Sequence, residues 1–265
     1  MLPPADIIRL APSQEHRRAE WPQALAHFDP GTAISLKKDG LDGVWRTTIY
    51  GRDLALKCLT HSSPLACIKS FFHLSRSFRQ WRGAELLLKA RIDTAEPIVL
   101  ATRCTRQKGL TAIDTHEWIA TAFVEGPTLL KLFAQGRFTT PLATAVGRHL
   151  AGMARGASLF NRDHKPSNLI VNLADDPEHC RITILDTVGI RTISPASHLR
   201  FTARMLASLI IEPTGCGHPP PEAFIRAIAQ NAVPAGPIDA DRLFSAALAI
   251  RKEHGDPTPR VNPLA

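Results

Sequence analysis

Asp163, Lys165, Asn168 and Asp186 stand in the stretch Asn161 to Ile190, NRDHKPSNLIVNLADDPEHCRITILDTVGI. Their types and spacing suit the movement of a phosphoryl group. Asp163 can take a proton from a hydroxyl, Lys165 can steady the transferring phosphate, and Asn168 and Asp186 can hold Mg²⁺ against a nucleotide. Carboxylate and amide oxygens are hard ligands matched to that ion, which takes few protein ligands and keeps several waters.

The flanking residues predict how these groups are positioned. Leu169 to Asn172 and Arg181 to Leu185 read as two short strands joined by the Asp- and Pro-rich turn ADDPEHC, a hairpin that brings Asp163 and Asn168 to the same edge as Asp186. Pro141 to Phe160 reads as one long helix delivering the chain to Asn161, with Gly147, Gly152 and Gly156 allowing close packing. Upstream, TAISLKK, VWRTTIY and LALKCL, separated by DGLDG and GRD, predict a three-stranded antiparallel meander. Its third strand carries Lys57, which could grip nucleotide phosphates, and the turn between the first two carries Gly40 and Gly43, whose backbone N–H groups could cover them.

After a basic connector from Ile68 to Arg79, the segment SFRQWRGAELLLKARI repeats apolar residues at helical spacing. Two of its residues could meet Lys57. Gln80 and Glu85 lie about 140° apart around such a helix, so only one can face the lysine. Strands are expected over Glu96 to Ala101 and His116 to Val124. Glu125-Gly126-Pro127-Thr128 then marks a hinge before a short helix. Residues 1–30 read as a loose lead-in with a short helix near Ser13 to Leu25. Further helices are expected over Ser197 to Ile211, Pro221 to Asn231 and Ala240 to Glu253, before a Pro-rich tail.

The bulk composition narrows the class. The chain has 265 residues, 44% hydrophobic and 21% charged, which fits a soluble globular protein with a sizeable core. No apolar run is long enough for a membrane span, and the N-terminus has no signal-peptide pattern, so a cytoplasmic protein is expected. Five scattered cysteines without a C-x-x-C pair point to reduced thiols. The net charge of +8 favours an anionic partner. One Tyr and 6% aromatics offer little for base stacking, so nucleic acid is not expected.

The pattern Asp163-x-Lys165-x-x-Asn168, then Asp186-Thr187-Val188-Gly189, preceded by Lys57, a helix and a hinge, resembles the protein-kinase-like fold. More narrowly, SFRQWRGAELLLKARIDTAEPIVL and VEGPTLLKLF look like the helix and hinge of the bacterial kinases that phosphorylate Kdo or heptose of the lipopolysaccharide core. The resemblance covers Thr32 to Ile211. It implies an α+β, two-lobed fold with a small antiparallel-sheet N-lobe (31–124), a mainly helical C-lobe (125–255), an N-terminal extension (1–30) and a tail (256–265).

It also implies ATP and Mg²⁺ as cofactors, Asp163 as base, Lys165 at the transferred phosphate, Asn168 and Asp186 as metal ligands and Lys57 at the nucleotide. The implied partners are ATP and an anionic glycolipid or sugar acceptor, with peripheral contact at the inner membrane surface. Three positions depart from the pattern. Asn161 stands where kinases carry His, Thr187 where protein kinases carry Phe, and Gln80 where the family carries the Glu that pairs with the strand lysine. These departures keep a pseudokinase open beside a glycolipid kinase. A kinase acting on proteins or aminoglycosides also stays open, although no Ala-Pro-Glu segment of the protein kinases follows Asp186.

Overall fold

The computed structural model describes residues 6–39, 42–61, 64–106, 113–172, 180–233, 239–255, 257–259 and 263–264. Gly40 and all of the ADDPEHC turn except Cys180 lie outside them. The chain divides into two compact units, Met1–Glu85 with Ala95–Phe123, and Leu86–Thr94 with Val124–Ala265.

The first unit is built on a six-stranded antiparallel sheet. Its strands are β1 (Asp6–Leu10), β2 (Ile34–Asp39), β3 (Asp42–Ile49), β4 (Arg52–His61), β5 (Pro97–Arg106) and β6 (Ile113–Ala122), in the order β1-β5-β6-β4-β3-β2. The expected meander is β2 to β4, and Val44 of β3 stands opposite Lys57 of β4. Alternation along the strands separates two apolar layers. Leu54, Leu56, Val99, Ala101, Trp118 and Ala120 pack on one face, whereas Leu100 and Ile119 pack with Phe78 and Trp81 on the other.

Two expectations fail in this unit. The N-terminal segment is not a loose lead-in: β1 pairs with β5, and Trp21 at the start of α1 (Trp21–Ala26) is fully buried against Leu54 and Leu56. Strand β5 would otherwise present an unpaired edge. The basic connector also contains a helix, α2 (Pro64–Phe71), ahead of the expected α3 (Arg76–Lys89). Leu65 and Ile68 of α2 face solvent, so these apolar residues give no inward stripe of the usual kind.

The second unit holds α4 (Leu129–Ala134), α5 (Thr140–Ala151), β7 (Leu159–Asn161), β8 (Leu169–Asn172), β9 (Arg181–Ile184), β10 (Ile190–Thr192), α6 (His198–Gly215), α7 (Glu222–Ala232) and α8 (Ala240–His254). Thr128 caps α4, its hydroxyl accepting from Lys131 N at 3.1 Å. Gly126 adopts φ 132° and lies where a Cβ would come within 2.9 Å of Ile170 and 3.0 Å of the Val171 carbonyl, so only glycine fits this bend. The expected helix over Pro141 to Phe160 ends at Ala151 and passes through a single π turn, Gly152–Gly156, into β7. Gly147 does serve close packing, since a Cβ there would collide with Asn231 and the Ile228 carbonyl of α7. Gly152 and Gly156 have open space around them and mark the irregular end of the helix instead.

Candidate active site

Strand β7 ends on the fully buried Asn161 and sets the loop that follows. Its main chain pairs with Ile190 of β10, and Arg162 N donates to the Gly189 carbonyl at 3.2 Å. The Asn161 side chain bonds in two directions. Its Oδ1 accepts from Asp163 N at 3.0 Å, and its Nδ2 lies 3.5 Å from the Asp186 carbonyl, the long limit of a hydrogen bond. The departure from histidine therefore leaves a working tether that links the Asp163 loop to the Asp186 segment.

Gly189 is part of the same closure. A Cβ at that position would lie 2.8 Å from Asn161 Oδ1 and 3.0 Å from the N atoms of Arg162 and Asp163. Within the loop, Asn168 Nδ2 donates to the Asp163 carbonyl at 3.1 Å, and Leu185 N donates to the Asn168 carbonyl at 2.9 Å. Lys165 Nζ stands 3.4 Å from Asp163 Oδ1. Asp186 Oδ1 accepts from Val188 N at 3.1 Å, which turns the chain directly after β9. The four loop residues singled out in the sequence thus share one hairpin edge.

The donor set fits a magnesium ion. Asn168 commits its amide nitrogen to Asp163, which fixes its oxygen as the acceptor, and Asp186 is a half-buried carboxylate. One amide and one carboxylate oxygen match the sparse protein ligation that Mg²⁺ takes beside nucleotide phosphates.

Two features behind the loop are not legible in the sequence. Glu212 on α6 receives both Ser167 N at 2.8 Å and Ser167 Oγ at 2.6 Å. Burial pushes its carboxyl pKa up, the Ser167 hydrogen bonds and Lys165 pull it down, and Asp163 adds to the rise. His164 is fully buried and stacked on His149 of α5, with ring centroids 5.3 Å apart and planes 13° from parallel. It fills space beneath the loop. Burial holds both rings neutral, lowering His149 to about 4 and His164 well below its ordinary value, the latter also through His149.

In the first unit, Lys57 Nζ donates to Gln80 Oε1 at 3.2 Å. The helix position facing the lysine is therefore Gln80, which is buried, and Glu85 is not the residue that meets it. Glu85 is exposed and accepts from Trp81 Nε1 at 2.8 Å, as expected for a residue turned about 140° further around α3. Gly43 lies within β3 opposite Cys58, and a Cβ there would collide with the Trp45 indole. Close packing under Trp45 requires a glycine here. Cys58, Cys180 and Cys216 are free, and burial pushes the Cys58 thiol up to about 12.

No family model matches the sequence, and no curated protein matches it significantly. Solved structures do. One described as WaaP in complex with acyl carrier protein aligns over 94% of this chain and 97% of its own, with TM-score 0.59 and 15% identity. The ROP18 kinase domain in complex with AMP-PNP and sucrose aligns over 91% of each chain at TM-score 0.47 and 13% identity. The fold is α+β and protein-kinase-like, shared with WaaP. At 15% identity that likeness carries the fold and not the reaction.

Proposed function

We propose that the protein is an ATP-dependent phosphotransferase acting on a sugar hydroxyl of lipopolysaccharide core or a similar glycolipid. The observation that supports it best is the Asn161-tethered loop, which gathers Asp163, Lys165, Asn168 and Asp186 at one hairpin edge. In this reading Mg-ATP supplies the electrophilic γ-phosphorus, with the metal held by Asn168 and Asp186. Asp163 accepts the proton of the acceptor hydroxyl as its oxygen bonds to that phosphorus and the bond to the departing ADP oxygen breaks. Lys165 offsets charge on the transferred group, and Lys57 holds the nucleotide phosphates. The test is ADP release in the presence of lipopolysaccharide core acceptors; acceptor-dependent release by the native protein and none by Asp163→Ala is expected, and equal release by both sinks the reading.

Gln80 favours a second reading. An amide beside Lys57 is what a nucleotide-binding pseudokinase would tolerate, and it predicts Mg-ATP binding without acceptor-dependent turnover.

The proposed acceptor is membrane-borne, and one surface of the first unit suits an anionic bilayer. Leu65, Ile68, Phe72 and Leu74 are 59%, 53%, 63% and 61% exposed. Residues 64–84 contain Lys69, Arg76, Arg79 and Arg82 and no Asp or Glu. Apolar side chains flanked by bases are the pattern of interfacial helices. Among the described residues no helix is long and apolar enough to cross a membrane. Sedimentation with anionic vesicles, lost in Leu65→Ser/Ile68→Ser, supports peripheral binding; a protein that stays in the supernatant refutes it.

A further inference from the structure

Beyond Asp186 the chain carries no acid until Glu212: residues 187–211 contain Arg191, His198, Arg200 and Arg204 and no Asp or Glu. The fold gathers the three arginines around one ring. Phe201, half-buried on the first turn of α6, leans on the buried Phe160 of β7, with ring centroids 4.6 Å apart. The guanidinium carbons of Arg191, Arg200 and Arg204 lie 5.1, 5.5 and 5.9 Å from the Phe201 centroid, and that of Arg191 lies 5.0 Å from the Phe160 centroid as well. None of the three side chains has an ion pair or hydrogen bond among the described residues.

Guanidiniums that share one ring repel each other at a range that salt screens only in part. The ring attracts each of them but neutralises none, so the cluster is a concentrated positive surface whose N–H donors are uncommitted. Planar guanidinium forks match the paired oxygens of carboxylates and phosphates. The cluster also lies beside the candidate active site. Arg191 stands opposite Phe160, three residues before Asp163, and its neighbour Ile190 stands opposite Asn161, whose side chain tethers the Asp163 loop. A bilayer is the poorer occupant. Among the described residues every exposed large apolar side chain lies between positions 34 and 88, so nothing beside these arginines would enter a hydrocarbon layer.

We propose that Arg191, Arg200 and Arg204 form an oxyanion subsite for the acceptor, binding a carboxylate or phosphate that the sugar carries away from its reacting hydroxyl. Phe160 and Phe201 form the base that holds the guanidiniums together. An acidic sugar docks on them by its charge while one of its hydroxyls stands at Asp163. The acceptor as source of the oxyanion rests on the function proposed above; the affinity of the cluster for an oxyanion does not.

The test is calorimetric titration of the full chain, without nucleotide, with lipopolysaccharide core oligosaccharide in intact, dephosphorylated and carboxyl-reduced forms. The native protein is compared with Arg200→Gln/Arg204→Gln. The native protein binds the intact form at least about tenfold more tightly than one or both stripped forms, the worth of about one hydrogen bond to a charged group. The form that loses affinity identifies the oxyanion. The double variant binds all three forms alike, at the weaker level, with its chemical-unfolding midpoint unchanged. Equal binding of the three forms by the native protein, no binding of the intact form, or a preference that survives in the double variant overturns the inference. So does a double variant that loses sedimentation with anionic vesicles yet binds the oligosaccharide as before, which assigns the arginines to a bilayer. In acceptor-dependent ADP release the double variant raises KM for the intact form more than it lowers kcat, and the reverse split overturns a binding role. If the native protein binds the oligosaccharide with the expected preference but releases no ADP with it, the phosphotransfer reading fails while the oxyanion site stands.

Discussion

The Asp163 loop and the Lys57 layer solve the same problem, holding charged side chains ready, in opposite ways. In the loop each working residue is tied by a short bond to a neighbour close in sequence or on an adjoining strand: Asn161 to Asp163, Asn168 to the Asp163 carbonyl, Asp186 to Val188. In the Lys57 layer the lysine donates to the Gln80 amide of a helix 23 positions further on, where Phe78 and Trp81 of that helix pack on Leu100 and Ile119 of the sheet. Bonds between close neighbours lock the first region, and packing of a helix on a sheet holds the second. Substitutions in the loop should therefore act steeply and locally, whereas those around Lys57 should act through the packing of α3 on the sheet.

The steepest loss is expected at the metal. Asp186→Ala should lower ADP release at least about a thousandfold, since metal ligation carries several kcal/mol of transition-state stabilisation. Asp163→Asn should cost about 10²–10⁴-fold in turnover while leaving Mg-ATP affinity nearly unchanged, as for a lost general base; turnover and calorimetry together check it.

Next comes the fit of the loop. Gly189→Ala forces a methyl against Asn161 and the loop amides and should destabilise the protein by about 1–3 kcal/mol in chemical unfolding.

The histidine stack gives an acid signature. Because burial lowers His149 from 6.5 to about 4, its neutral form stabilises the fold above pH 6.5, and that contribution is lost as the pH falls towards 4. His164 acts in the same direction. His149→Phe should flatten the stability profile over that window, by up to about 3 kcal/mol at its acid end.

The smallest change is expected at Glu212. Its carboxyl is already pushed up by burial, and Gln can still accept from Ser167, so Glu212→Gln should alter stability at neutral pH by no more than about 1 kcal/mol.

The contrast between the regions also explains what the sequence makes legible. Asp163, Lys165 and Asn168 lie within six positions of each other, and turn residues bracket the strands that bring Asp186 to them, so local spacing carries the site. The meander and Lys57 are legible for the same reason. Glu212 bonds a residue 45 positions away, and His149 of α5 reaches His164 in the loop; no local pattern joins them. Strand β1 is hidden because its partner β5 lies nearly a hundred residues away. The end of α5 is obscured by glycines that suit packing and helix breaking equally, and only Gly147 packs. Helix α2 reads as a connector because its Leu65 and Ile68 point outward.

The central claim is that the Asp163 loop holds a metal nucleotide, and calorimetric titration of the native protein and Asp186→Asn with ATP, with and without Mg²⁺, tests it most directly. Saturable binding that requires Mg²⁺ and is lost or greatly weakened in Asp186→Asn is the predicted result. No binding by the native protein, or equal Mg²⁺-dependent binding by both, would contradict it.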